Sequence, residues 1–217
     1  MKRFFWDFFL GRLVPALFFA LAAVAKAFDA ERAQALSDRS VADWFRFIGE
    51  LASFLFFAGL AFTYVTRGQR RSGSRKPVVI VSVFVTLGLT SAALVFRRDA
   101  HPSLELASAI LVTIGTVYEL YALYHLRRSF AILPEARALV TTGPYAWSRN
   151  PLYVAELVAM LGLLLPSGVM VLLVAPVAAG QWLRVRWEEE VLAAEFPEFR
   201  EYAARVPRWL PFFRRPS

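Results

Sequence analysis

Cysteine is absent from the 217-residue chain, and histidine occurs only as His101 and His125. The first absence excludes a disulfide framework, a thiolate nucleophile and a thiolate-held metal, and two histidines are too few for a histidine-rich metal site. No metal site is expected, although carboxylates alone can hold magnesium. Charged residues are also sparse: they make up 19% of the chain against 58% hydrophobic residues, with a mean hydropathy of +0.48. A soluble domain of this length is not normally so apolar, so the chain reads as an integral membrane protein. The net charge of +8 lies between apolar segments rather than on one soluble face, so nucleic acid is not an expected partner.

What is present is a series of apolar runs. Residues 13–28 form the first, preceded by Lys2, Arg3 and the interfacial aromatics Phe4, Phe5 and Trp6. Ala25-Lys26-Ala27 resembles a cleavage site, but five further spans follow, and the first segment is read as a retained helix. Residues 29–43 read as a polar loop, and 44–66 as a second span with an Arg46/Glu50 pair at its end. Residues 78–96 are nineteen uncharged residues, about 28 Å of helix and enough to cross the hydrocarbon core. Residues 103–125 make a fourth span. Its Glu119 reads equally as a functional acid and as an end-of-span residue reaching the interface. Residues 151–186 exceed one span and contain Pro166-Ser167-Gly168, the marks of a helical hairpin.

The expected fold is therefore all-α, with six membrane helices, the last two a hairpin, and a short interfacial helical tail. Residues 1–125 would be the membrane-helix part and 126–217 the part carrying the chemistry. Under this topology nineteen Lys and Arg lie on the side of the termini and six on the other. That asymmetry places both termini and the 126–150 loop in the cytoplasm, as for a bacterial inner-membrane protein.

The chemistry-bearing residues concentrate in two clusters. In the first, Asn150-Pro151 is a helix start, with a favoured N-cap and a proline at the first helical position. That does not account for Arg149, Tyr153 and Glu156, which share one helical face as a polar stripe entering the membrane. In the second, Gln181, Arg184 and Glu188 repeat the spacing. Their plain reading is an interfacial helix end with an Arg184/Glu188 pair. Glu188 and Glu189 point about 100° apart on a helix, one toward the hairpin partner and one toward the tail. Three consecutive acids in an arginine-rich region suit a cationic ligand. Leu192, Phe196 and Phe199 form an apolar stripe read as packing, with one helix stopping near Glu195 and another beginning at Pro197.

Taken in order, Leu139-Val-Thr-Thr-Gly-Pro-Tyr-Ala-Trp147, Arg149-Asn-Pro-Leu-Tyr153, Glu188-Glu-x-x-Leu192, Phe196, Tyr202 and Val206-Pro207 resemble the isoprenylcysteine carboxyl methyltransferases and the related membrane phospholipid methyltransferases. The resemblance covers roughly residues 126–213. It implies a site for S-adenosylmethionine between the Arg-x-Pro-x-Tyr and Glu-Glu segments, open to the cytosol, with a lipophilic acceptor entering from the bilayer. The sequence departs from the family at three positions: Asn150 stands where a histidine is usual, Arg137 where many members have histidine, and Pro197 where glycine is usual.

On that resemblance, the cofactor-binding residues would be Arg137, Gly143, Pro144, Tyr145, Asn150, Pro151, Tyr153, Glu188 and Glu189. Either glutamate can take the cofactor's ammonium group, and Arg137 its carboxylate. Arg149 would orient an anionic acceptor, Tyr153 would position cofactor or acceptor, and Glu156 would serve as base for an amine acceptor. Two other readings stand beside this one. The first is a sterol-reductase-like enzyme using NADPH. The second is a non-catalytic scaffold or transporter, against which the lack of an internal repeat counts.

Overall fold

A computed structural model of the chain describes residues 13–34, 40–66, 72–73, 101–130 and 135–209. The expected span at 78–96, the N-terminal aromatics and the tail beyond residue 209 lie outside the described residues. The architecture is helical: α1 (Val14–Gln34), α2 (Val41–Thr66), α3 (Glu105–Leu126), α4 (Pro151–Leu164), α5 (Val174–Glu195) and α6 (Phe199–Arg205). Short 3-10 turns cover Pro102–Leu104, Arg127–Ser129, Gly143–Ala146 and Leu165–Leu173, and Ser72–Gly73 pairs antiparallel with Glu135–Ala136.

Among the described residues, three helices are long and apolar enough to cross a membrane: Val41–Thr66, Glu105–Leu126 and Pro151–Gly168. Charged residues interrupt α1, with Lys26, Asp29, Glu31 and Arg32, and α5, with Arg184, Arg186 and Glu188 to Glu190. Large apolar side chains such as Leu17, Phe18, Leu21, Phe62, Val65 and Ile114 face outward, as helices in lipid require.

The helices stand in a row, α1 on α2, α2 on α3 and α3 on α4, with α5 returning along α4. Small residues set the closest crossing. A Cβ at Gly115 would collide with the backbone of Ala159, and one at Gly162 would lie 2.6 Å from Leu111 Cβ and 2.7 Å from Val112 N. Where lipid is as apolar as the side chains, such close backbone approach is what holds helices together. At the next crossing, Thr113 donates from Oγ1 to the Phe45 carbonyl at 2.6 Å. Lys26 pairs with Glu50 at 3.0 Å and Arg46 with Glu105 at 2.9 Å.

Those pairs correct the expected Arg46/Glu50 contact within one helix: each charge instead ties two helices together. The polar loop expected from residue 29 is also shorter, because α1 continues to Gln34. The hairpin forms as expected. Gly168 breaks the helical path at φ 56°, ψ −109°, a conformation open to glycine, and Met160 and Leu164 then pack on Val177. The second arm runs on to Glu195, where it was expected to stop, and carries the acidic cluster within its last turns. Pro197 sits in a turn, and the final helix starts two residues later, at Phe199.

Gly115→Val forces a branched side chain into the Ala159 backbone and is expected to cost about 1–3 kcal/mol. Gly59→Ala meets only the movable end of Leu123 and should cost less. Thermal unfolding in detergent orders the two, and the reverse order would contradict the role given to this crossing.

Candidate functional site

Residues 142–150 cross the mouth of the hairpin. Gly143 has φ +61°, and the His125 ring occupies the space a side chain there would need, so the loop is seated on the end of α3. Pro144 and Tyr145 are buried in the 3-10 turn that follows. Asn150 is at the N-cap position and Pro151 at the first position of α4, as expected, but the Asn150 side chain makes no capping bond.

That side chain goes to Glu189. Asn150 Nδ2 donates to Glu189 Oε1 at 3.0 Å and to the Arg208 carbonyl at 3.1 Å. Arg208 donates from Nε and Nη2 to Glu189 Oε2 at 3.0 and 2.8 Å. The Arg149 guanidinium is 3.5 Å from Oε1, and the Arg149 backbone N–H donates to the Pro207 carbonyl at 3.0 Å. One buried carboxylate thus joins α5, the loop before α4 and the tail. Burial lowers the pKa of Arg149, and Glu189 partly offsets that effect.

Glu188, one residue earlier, faces the hairpin partner and accepts from Tyr153 Oη at 2.9 Å. The Arg184 guanidinium lies over the Tyr153 ring, 5.2 Å from its centroid. Tyr202 donates to the Tyr145 carbonyl at 2.6 Å, fastening α6 to the loop. Burial, with Glu188 nearby, raises the Tyr145 pKa, and burial likewise raises that of Tyr202.

A cavity of about 40 Å³ lies between these groups, and Tyr145, Arg149, Asn150, Glu188, Glu189 and Tyr202 are among the residues that line it. Small-molecule pockets are roughly 300–1,000 Å³, so this cleft is closed around space for little more than a water.

The polar stripe expected on α4 therefore does face α5: Arg149 meets Glu189, Tyr153 meets Glu188, and Glu156 faces Arg184 and Gln181. Glu156 is not among the residues that line the cavity. Arg137 is buried beside Ala136 and is not among the cavity-lining residues. The residue missed by sequence reasoning is Arg208. It stands in a run of basic residues, and nothing in helical spacing relates it to an acid nineteen positions earlier. Among the described residues, no group of three or more His, Cys, Asp or Glu is placed to hold a metal ion.

Hydrophobic helices and a polar cleft at the end of a hairpin define a membrane protein with a candidate ligand site. Residues 104–198 match the phospholipid methyltransferase family, and the resemblance to membrane methyltransferases holds over that segment. The chain is also similar to the cobalt-zinc-cadmium resistance protein CzcN of Cupriavidus metallidurans, 42% identical over 79 residues, 34% of this chain and 35% of that protein. With the nickel-cobalt-cadmium resistance protein NccN of Alcaligenes xylosoxydans xylosoxydans it is 38% identical over 104 residues, 46% of each chain. The matches thus span less than half the length of either relative.

Glu189→Gln leaves Arg208 and Arg149 beside a neutral amide. The expected loss of stability is about 1–3 kcal/mol, below the roughly 3–5 of a fully buried pair because the Arg208 side chain is 36% exposed. Tyr153→Phe should cost about 0.5–1.5 kcal/mol. Unfolding in detergent measures both, and an unchanged Glu189→Gln protein would remove the joining role from that carboxylate.

Proposed function

We propose that the chain transfers methyl groups from S-adenosylmethionine to a lipophilic acceptor at the cytosolic face of a bacterial inner membrane. The acceptor would be an isoprenoid carboxylate, a phospholipid amine or another membrane-soluble nucleophile. The observation that carries the reading is the division of labour between the adjacent acids. Glu189 is held by Asn150, Arg149 and Arg208, whereas Glu188 accepts from Tyr153 alone among the hydrogen bonds described and lines the cavity. Glu188 is thus the better placed of the two for an ammonium group, and Tyr145 and Tyr202 supply an aromatic wall.

The donor set suits the cofactor, while the cavity volume requires the loop or the tail to shift before a ligand of that size enters. When bound, S-adenosylmethionine supplies an electrophilic methyl on a sulfonium. The chain's own work is to align and to exclude water. Glu188 would hold the ammonium with Tyr153 steering its carboxylate, and Arg137 would hold the cofactor's carboxylate. Gly143, Pro144 and Tyr145 would present backbone to the nucleoside, with Asn150 and Pro151 setting the start of α4. Arg149 would orient an anionic acceptor, and Glu156 would take the proton of an amine. The charge asymmetry, which is what the expectation of cytoplasmic termini rests on, supports access from that side.

Calorimetry on the detergent-purified full chain tests this reading. S-adenosylmethionine should bind, NADPH should not, and Glu188→Gln should weaken binding at least tenfold. Binding of NADPH alone would favour a reductase, and binding of neither would favour a scaffold or transporter. The relatives' names suggest extracts of cells grown with cobalt, nickel, zinc or cadmium as the first place to look for the acceptor by labelled-methyl transfer.

A further inference from the structure

The outer face of α3 changes character along its length. Ile114, Val117, Tyr121 and Tyr124 follow one another at helical spacing, and all four are exposed. On a helix long and apolar enough to cross a membrane, such a stripe faces lipid. Glu105, paired with Arg46, marks one end of the helix, and Tyr121 and Tyr124 lie about 24 and 28 Å further along its axis. The hydrocarbon core is about 30 Å thick, so the two tyrosines fall where it gives way to headgroups.

At that level the 142–150 loop adds Trp147. Gly143 is seated on the His125 ring, and that ring meets Tyr121 and Tyr124 edge-on, with centroids 4.6 and 5.4 Å apart. Pro144 and Tyr145 turn inward and are buried, whereas Trp147 is 72% exposed, the highest value for a large apolar side chain among the described residues. Tryptophan and tyrosine, apolar in body with one hydrogen-bonding edge, are the side chains that the headgroup level favours.

Arg127 closes α3 in a conformation that suits glycine. Its φ is 47° and its ψ −124°, the only positive φ at a non-glycine residue among those described, and a Cβ crowds the backbone there. The side chain is exposed, with its guanidinium 5.3 Å from the Tyr124 ring centroid. An exposed cation–π contact returns less than such a backbone conformation costs. The field of the helix C-terminus is available to a cation anywhere in the last turn, so neither effect accounts for arginine at this one position. A guanidinium set over a ring keeps its N–H edge for a second partner, and a phosphate fits that edge.

We infer that Tyr121, Tyr124, Arg127 and Trp147 form an interfacial collar that binds the headgroups of anionic bilayer lipids and holds the 142–150 loop at their level. Arg127 takes the phosphate, and the aromatic side chains sit among the glycerol esters below it. A zwitterionic headgroup fits less well, because the collar contains no acid to take its ammonium and Arg127 already covers the Tyr124 ring. The lipid lies on the outside of α3, apart from the cavity, and is not an acceptor. The inference is independent of the methyl-transfer reading.

The test uses the full chain in nanodiscs, with tryptophan emission quenched by phospholipids brominated at a shallow or a deep position of the acyl chain. The difference between wild type and Trp147→Phe isolates Trp147 from the chain's other tryptophans. That component should be quenched more strongly by the shallow bromine, and equal quenching, stronger deep quenching or none would overturn the collar. Brominated phosphatidylglycerol should reach half-maximal quenching at a mole fraction about fivefold lower than brominated phosphatidylcholine, the enrichment one arginine gives at an anionic surface. Arg127→Gln should abolish that preference. Equal midpoints in the wild type, or a preference unchanged in Arg127→Gln, would defeat the site. Arg127→Gly separates a headgroup role from a structural one, since glycine adopts this conformation without strain. A higher Tm in detergent together with loss of the phosphatidylglycerol preference supports the site, whereas a lower Tm or a retained preference makes Arg127 a helix cap and overturns it.

Discussion

The Glu189 carboxylate is the point at which three otherwise separate pieces of chain meet. Asn150 brings the loop ahead of α4, Arg208 brings the tail, and the carboxylate itself sits on α5. An ionised group only 7% exposed persists in such surroundings when its oxygens are matched by donors. Here the match also consumes the side chain that would otherwise cap α4. Once Glu189 is held, α5 can rotate little, and the neighbouring Glu188 is directed across the hairpin to Tyr153 instead of to solvent.

The helices bring these groups into place by a different interaction. Gly115 and Gly162 let α3 and α4 approach at backbone distance, and the register of that contact carries Glu119 to Glu156. Gly168 then reverses the chain, so that Val177 meets Leu164 and, further along, Arg184 meets Tyr153. Close packing of small residues and a string of buried polar contacts thus lie along the same hairpin. The first is insensitive to charge. The second depends on each acid having a matching donor, as Glu189 has in Asn150, Arg149 and Arg208.

Much of this was legible in the order of residues. Long apolar runs cannot be soluble, so the helices at 41–66, 105–126 and 151–168 follow from hydropathy and length. Asn-Pro marks a helix start, and Pro-Ser-Gly marks the reversal. A face carrying Arg149, Tyr153 and Glu156 at helical spacing must meet other polar groups once it enters an apolar bundle, and α5 offers Arg184, Glu188 and Glu189 at the same level.

Which donor meets which acid was not legible, because it depends on contacts between segments far apart in the chain. Helical spacing suggested Arg46 with Glu50, yet the packing of α1, α2 and α3 gave Lys26 to Glu50 and Arg46 to Glu105. It suggested that Asn150 caps α4, yet a buried carboxylate 39 residues later is the stronger partner. Arg208 reads as one more basic residue until the tail folds back over the hairpin. The sequence by itself determined that the chain is helical, that it belongs in a membrane and where its polar groups concentrate, since burial of apolar surface and helical periodicity are local properties. Only the tertiary structure decided the pairing within those groups, separating Glu188 from Glu189 and Glu156 from the cavity, because the match of a buried charge is set by three-dimensional neighbours.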